Sequence, residues 1–188
     1  MRLKVYYIIG GCRRPSEYEV MKILVSIFFG IAFCTVANTV LLAQDREITV
    51  ILVRHAEKAD ATSTDPELSA TGKERAQRLV EKIGKYRPGA FYSTDFKRTR
   101  YTIAALAAKR KKEVKIYDAR KPQELIDQMM KSKTKRFVVA GHSNTVPGLA
   151  NLIAKKELFK NLDDSEYTVI WLLRLKNGKV TKLELLDY

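Results

Sequence analysis

Short runs of aliphatic residues alternate along the chain with stretches in which apolar residues recur every three or four positions. Uninterrupted β-branched and aliphatic runs are typical of strands buried in a sheet. They predict strands at residues 48–53, 90–93, 114–117 and 136–140. The helical periodicity between them predicts helices that end near residues 83, 109, 131 and 155.

The end of the chain predicts a hairpin. Two further predicted strands, 168–175 and 179–186, flank Asn177-Gly178. This dipeptide is a strong signal for a tight β-turn, because both of its residues tolerate positive φ. The whole pattern predicts an α/β fold with a mostly parallel central sheet, helices layered on it and a C-terminal hairpin.

Residues 1–44 differ from the rest and predict an export segment in front of a domain at 45–188. Lys22 precedes an uncharged, apolar run at residues 23–43, and a polar stretch follows it. This order is the layout of a secretory signal, with cleavage expected after Ala43. The domain is therefore expected outside the cytoplasm, in a periplasm or facing outwards from a membrane.

Other interpretations of this segment stay open. The run at 23–43 is long enough to span a bilayer, so it also fits an uncleaved membrane anchor. A lipoprotein cleavage site before Cys12 is a third interpretation. Met21 is expected to be the true start, in which case residues 1–20 result from a start-site misassignment.

The net charge of the chain indicates which class of partner it favours. Lys and Arg number 35 and Asp and Glu 21, which gives a net charge of +14. An anionic partner such as a phosphate ester, an envelope surface or a nucleic acid fits this excess. No basic-aromatic interleaving or known binding motif supports nucleic acid. Both cysteines, Cys12 and Cys34, precede the predicted domain, which excludes a disulfide framework or a cysteine metal site there.

The chain has two histidines, and each follows a predicted buried strand. His55 comes just after 48–53, and His142 just after 136–140. Ligands of open α/β sheets bind outside the carboxyl ends of the strands. We therefore expect the two imidazoles to meet in one site.

Two arginines accompany the histidines. Arg54 directly precedes His55, and Arg98 begins the helix after the strand at 90–93. Guanidinium groups match phosphate oxygens in a bidentate way, and the N–H groups of a helix N-terminus also favour an anion. The sequence therefore predicts an anion pocket at this edge.

Four motifs follow one another along the chain. They are Val53-Arg54-His55-Ala56-Glu57, Leu68-Ser69-Ala70-Thr71-Gly72, Ser93-x4-Arg98-Thr99-x2-Thr102 and Gly141-His142-Ser143-Asn144. This series, over about residues 48–150, resembles the histidine phosphatase superfamily, the phosphoglycerate mutase-like group, in its short, cap-poor form. The resemblance implies a three-layer α/β/α phosphoglycerate mutase-like fold.

The resemblance also implies roles. His55 would be the nucleophile that accepts the phosphoryl group, while Arg54, Arg98 and His142 would bind its oxygens. Nearby positive charges would lower the pKa of the nucleophile and keep it neutral for attack. Asn144 either donates to the phosphate or shapes the turn after the strand.

Two features depart from the family pattern. Ala56 stands where the family usually has glycine, although alanine is small enough for a close approach. The proton donor is not obvious. Glu57 is the first candidate, although it could instead orient Arg54 or pair with Lys58. Glu124 is the second candidate, and a good leaving group would need no protein acid.

The expected activity is a metal-independent phosphohydrolase with a covalent phosphohistidine intermediate on His55. Its substrate would be a phosphorylated small molecule or an envelope-linked phosphate. The alternative is a non-catalytic module that binds a phosphate ligand on the same fold; a mutase is disfavoured by the short, exported chain. No cofactor or metal is expected, because two histidines without clustered carboxylates make a poor divalent site.

Overall fold

A six-stranded sheet organises the described part of the chain in the computed structural model, which describes residues 16–18, 21–22, 46–60 and 62–188. The strands are β1 (Glu47–Arg54), β2 (Ala90–Ser93), β3 (Val114–Ile116), β4 (Arg136–Gly141), β5 (Val169–Lys176) and β6 (Lys179–Asp187). The helices are α1 (Ala70–Gly84), α2 (Lys97–Lys109), α3 (Pro122–Lys131) and α4 (Thr145–Ala154).

The strand order is β3-β2-β4-β1-β5-β6. The first four neighbours pair in parallel, and β5 and β6 complete the sheet as antiparallel strands. The mostly parallel α/β fold that the sequence predicts is therefore confirmed. The turn of the terminal hairpin has φ values of 54° at Asn177 and 72° at Gly178, which fits the mirror-image turn that this dipeptide favours.

Helices cover both faces of the sheet, because successive side chains of a buried strand point to opposite sides. On β1, Val50 and Leu52 pack with the buried faces of α3 and α4. Ile51 and Val53 point the other way and pack with α1 and α2. Because both faces of β1 are covered by apolar layers, its residues from Val50 to Val53 do not alternate between polar and apolar.

The carboxyl ends of the central strands meet at one edge. The last pair of β1 and β4 joins Arg54 to Gly141, and the backbone N–H of His55 continues the ladder with a 2.9 Å bond to the Gly141 carbonyl. On the other side of β4, Ser93 pairs with Ala140. The residues that directly follow β1, β2 and β4 are therefore brought together.

The Leu-Ser-Ala-Thr-Gly motif supports the loop that leaves this edge. Ser69 donates its N–H to the Glu57 carbonyl over 2.9 Å. Its side chain then caps α1 by accepting from the Gly72 N–H at 3.0 Å. A Cβ built on Gly72 would lie 2.2 Å from the Glu57 carbonyl oxygen. Only glycine therefore lets α1 pass so close to the chain that follows His55.

A buried asparagine organises the segment after α4. The Asn151 side chain is 6% exposed. Its amide donates to the Phe159 carbonyl and to the Glu157 carboxylate, and its carbonyl accepts from the N–H groups of Leu158 and Phe159. Because a buried polar group needs partners, this satisfied amide fixes the course of the chain towards β5.

The N-terminal predictions lie outside the described residues. This applies to the apolar run at 23–43 as a signal or an anchor, to its cleavage after Ala43 and to the lipoprotein site before Cys12. Within the residues that are described, no helix is long and apolar enough to cross a bilayer.

Replacing Gly72 by alanine is expected to lower the free energy of unfolding by about 1–3 kcal/mol, as overpacking of a rigid site typically does. The added methyl meets a main-chain carbonyl, which cannot rotate away. Urea unfolding followed by circular dichroism measures the change. Gly148→Ala is the matched control: a Cβ there has no neighbour within 4 Å, so helix propensity should raise stability by up to about 1 kcal/mol. Equal effects of the two variants would contradict this account.

Candidate active site

His55 lies directly after β1 and is 6% exposed. Its Nδ1 is 2.8 Å from the Ala56 carbonyl oxygen. Because a carbonyl only accepts, Nδ1 carries the ring proton and Nε2 keeps the lone pair. Burial lowers the pKa of His55 to about 4. The hydrogen bond opposes this shift in part, whereas the charges of His142, Arg98 and Arg54 add to it. The ring is therefore neutral at pH 7, with a free Nε2.

His142 faces His55, with 5.4 Å between the ring centroids. Its Nε2 is 3.0 Å from the Thr94 hydroxyl oxygen, which is in turn 3.0 Å from that of Thr99. The Thr99 hydroxyl donates to main-chain carbonyls, so the Thr94 hydroxyl donates to Thr99 and accepts from His142. Because the Thr94 hydroxyl accepts from His142, the ring proton of His142 lies on Nε2. Burial, with the charges of Arg98 and Arg54, lowers the pKa of His142 to about 4.

Arg54 is 4% exposed and is held by main-chain groups from a distant segment. Its Nη1 donates to the carbonyls of Asp163 and Glu166 over 2.7 and 2.8 Å. Its guanidinium carbon lies 4.2 Å from the ring centroid of Tyr167. Among the described residues, Nε has no hydrogen-bond partner, and Nη2 has only a 3.6 Å contact with the exposed Asp164 carboxylate. The Nε–Nη2 edge is therefore available for a bidentate anion.

Arg98 is half-buried and lies 4.3 Å above the Phe96 ring. Within the described part of the chain, no carboxylate lies within salt-bridge distance of it. At the N-terminus of α2, where the sequence predicts an anion site, one N–H group is already bound, because Asp65 accepts from the Lys97 N–H at 2.8 Å. The anion site itself stays a prediction.

A cavity of about 570 Å³ opens beside His142. Phe96 and Tyr117 contribute aromatic surface to it, and the ion-paired Asp118 and Arg120 lie on its wall. The lining includes His142 but not His55, Arg54 or Arg98, so the cavity offers space for a ligand beside His142.

The matched family model is that of the histidine phosphatase superfamily (branch 1), over residues 50–121. This range contains Arg54, His55 and Arg98 and ends before His142. No match was found among curated protein sequences.

Solved structures share the fold at low identity. A mycobacterial glucosyl-3-phosphoglycerate phosphatase is 13% identical with a TM-score of 0.59. The match covers 76% of this chain and 99% of the phosphatase. A phosphoserine phosphatase from Entamoeba histolytica is 14% identical with a TM-score of 0.56, at 73% and 96% coverage. The resemblance to the histidine phosphatase superfamily is confirmed. The three-layer phosphoglycerate mutase-like fold is confirmed with it.

Glu57 lies two residues after His55, but its carboxylate is bound by another residue. Its carboxylate accepts from Arg75 Nε at 2.9 and 3.0 Å and from Nη2 at 2.7 Å. Burial alone would raise the pKa of Glu57, but the hydrogen bonds and charge of Arg75 hold it below its usual value. Neither of the partners first considered, Arg54 and Lys58, forms this ion pair. A carboxylate kept ionised by an arginine is a poor proton donor, so the geometry counts against Glu57 as the acid.

Two other predicted site residues, Glu124 and Asn144, are exposed. Glu124 is exposed on α3, with its carboxylate 3.1 Å from Lys121 Nζ. It lines a groove that shares Ile116, Tyr117 and Asp118 with the cavity beside His142. Asn144 is exposed at the start of α4 and makes no capping hydrogen bond with its side chain. Its role at the phosphate stays a prediction.

Sequence reasoning missed the residues that hold the site together. Thr94 and Thr99 belong to a recognised motif, but their chain to His142 depends on three-dimensional contact. Tyr167 and the carbonyls around Arg54 carry no local signal, since the hydrogen bonds join residues 109 and 112 positions apart.

The stability of the fold is expected to decrease with falling pH before most carboxylates titrate. Both histidines have a pKa near 4 in the fold, against 6.5 when unperturbed. Below pH 6.5 the unfolded chain binds protons that the folded chain does not, so the free energy of unfolding falls towards pH 4 and this contribution then levels off. Urea unfolding at about pH 7 and about pH 5.5 measures the slope.

The double variant His55→Gln, His142→Gln serves as the control for that slope. It keeps a polar group of similar size at each position but removes the titration. Its free energy of unfolding should depend much less on pH over the same interval. A slope equal to that of the wild-type protein would show that the histidines are not held neutral.

Proposed function

We propose that this chain is a phosphohydrolase that transfers a phosphoryl group from its substrate to Nε2 of His55 and then to water. The observation that carries this proposal is the state of His55: neutral, buried, tied at Nδ1 and free at Nε2. The open edge of Arg54 and the unpaired Arg98 lie on the same side of the sheet, where they fit an anionic phosphoryl group.

The chemistry divides into two transfers. In the first, the Nε2 lone pair attacks phosphorus and the bond to the leaving oxygen breaks. In the second, water attacks the phosphohistidine, loses a proton, and the P–N bond breaks to release phosphate. Arg54 and Arg98 would hold the phosphoryl oxygens, whose charge develops in a buried site where fixed cations act strongly. His142 would join them by turning its Nε2–H from the Thr94 hydroxyl to a phosphoryl oxygen. Each step therefore needs no group beyond the substrate, water and this pocket.

The proton donor for the leaving group limits the substrate. Glu57 is bound by Arg75, and Glu124 is exposed and paired with Lys121 in a groove that adjoins the cavity beside His142. A leaving group of low basicity departs without full protonation. We therefore expect phosphoryl donors with good leaving groups to react first, among phosphorylated small molecules or envelope-linked phosphates. The phosphatases of similar fold are named for small phosphorylated substrates, which supports this class.

Hydrolysis of an aryl phosphate by the full-length protein, with a chelator present, is the direct test. Wild-type protein should turn over, and His55→Ala should lose at least about 1,000-fold in kcat because the nucleophile is absent. A rapid quench at alkaline pH with labelled substrate should trap label on a histidine of the wild type alone. Arg100→Ala, which removes an exposed arginine of the same helix as Arg98, should keep its activity.

The possible outcomes separate the alternatives. Unchanged turnover in His55→Ala would sink the covalent mechanism, and activity lost to the chelator would indicate a metal enzyme. Binding of inorganic phosphate without any turnover would instead favour the non-catalytic binding module.

We also propose that the domain works outside the cytoplasm, on the basis of the apolar run at 23–43 alone. Export would make extracytoplasmic phosphoesters its accessible substrates. N-terminal sequencing of protein purified from the producing cells is expected to find Gln44 as the first residue. A chain that still carries the apolar run and fractionates with membranes would identify an anchor instead, and a soluble, uncleaved chain inside the cell would refute export.

A further inference from the structure

Tyr167 lies at the centre of the polar groups of the site, although it belongs to none of the recognised motifs. Its ring centroid is 6.0 Å from that of His55 and 4.2 Å from the guanidinium carbon of Arg54. It is also close enough to Arg98 to act on the pKa of that guanidinium. One aromatic side chain therefore contacts the proposed nucleophile and one phosphate-binding arginine, and lies near the other.

The contacts of Arg54 explain why such a ring matters. A buried guanidinium is usually oriented by a buried carboxylate, which also cancels its charge. Here the acceptors are the neutral carbonyls of Asp163 and Glu166. The nearest carboxylate, Asp164, is fully exposed and 3.6 Å away, so solvent screens it. The positive charge of Arg54 remains for a ligand, but its orientation depends on the carbonyls and the ring.

The segment 163–167 supplies all of these contacts and is itself fixed at its start. The Leu162 N–H donates to the Ser143 carbonyl over 2.9 Å, next to His142. The Glu166 N–H donates to the Asp163 carbonyl over 3.0 Å, closing a turn that aims both carbonyls at Arg54. Tyr167 follows this turn immediately, which brings its ring centroid to 4.2 Å from the guanidinium carbon.

We propose that Tyr167 is a positioning residue whose ring holds the free Nε–Nη2 edge of Arg54 towards the phosphoryl group and shields His55 from water. This inference rests on the proposed phosphohydrolase function and adds a residue to its site. The ring face, rather than the hydroxyl, carries the role, since the stacking on Arg54 and the packing on His55 both use it.

Calorimetry with inorganic phosphate and NMR titration of the histidine rings test the proposal on the full-length protein. Tyr167→Leu is expected to weaken phosphate binding about tenfold, as loss of a desolvated cation–π contact would. His55 should then titrate at a higher pH, because the burial that lowers its pKa is partly lost. Tyr167→Phe keeps the ring and should lose at most about threefold. With two histidines in the chain, the two ring signals are readily assigned using His142→Gln.

Tyr101→Leu is the matched control. Tyr101 is 43% exposed on α2 and lines a different groove, so phosphate affinity and the titration of His55 should not change. If Tyr167→Leu unfolds at a much lower temperature than this control, Tyr167→Met, which has a similar volume and no ring, replaces it. A folded, ring-less variant with wild-type phosphate affinity and wild-type titration overturns the proposal.

Failure of the proposed function would be distinguishable. Wild-type protein that binds phosphate without hydrolysing an aryl phosphate would refute catalysis. The role of Tyr167 would still be supported if phosphate affinity decreased from the wild type to Tyr167→Phe and further to Tyr167→Leu. Wild-type protein that binds no phosphate would overturn both.

Discussion

The parallel pairing of β1 with β4 is the constraint on which the site depends. Its register ends with Arg54 opposite Gly141, and one further backbone bond carries the ladder to His55. This places two imidazoles, 87 positions apart in the sequence, with 5.4 Å between their ring centroids. A slip by one residue would turn the aliphatic side chains of β1 to the wrong faces, so the apolar layers that stabilise the sheet also fix the distance between the histidines.

The electrostatics of the site follow from this placement. Two arginines and two histidines share a pocket with little solvent, where four positive charges would repel strongly. The pKa shifts resolve the conflict by leaving both histidines neutral. The Glu57 carboxylate is ion-paired with Arg75, and Asp164, the described carboxylate nearest to Arg54, is fully exposed. The pocket therefore carries positive charge without an internal counterion, which favours an anionic ligand.

Much of this could be predicted from the sequence, because the decisive signals are local. Aliphatic runs mark the strands, Asn177-Gly178 marks the hairpin, and Arg54-His55 stands directly at a strand end. The remainder depends on contacts between distant segments. Glu57 is followed by Lys58, yet it pairs with Arg75 across the loop, and Asp65 reaches a helix end 32 residues away. Polar loop residues look alike in a sequence until the fold selects their partners.

The main-chain contacts of Arg54 with the segment 163–167 have a consequence for sequence variation. Its acceptors are main-chain carbonyls of Asp163 and Glu166, so exchanging either side chain leaves the hydrogen bonds in place. An insertion or deletion between these two residues would instead move both acceptors and Tyr167 together. The loop is thus tolerant of changes in chemistry and intolerant of changes in length. The number of residues between 163 and 167 should therefore vary less among related sequences than the identity of residues 163 and 166.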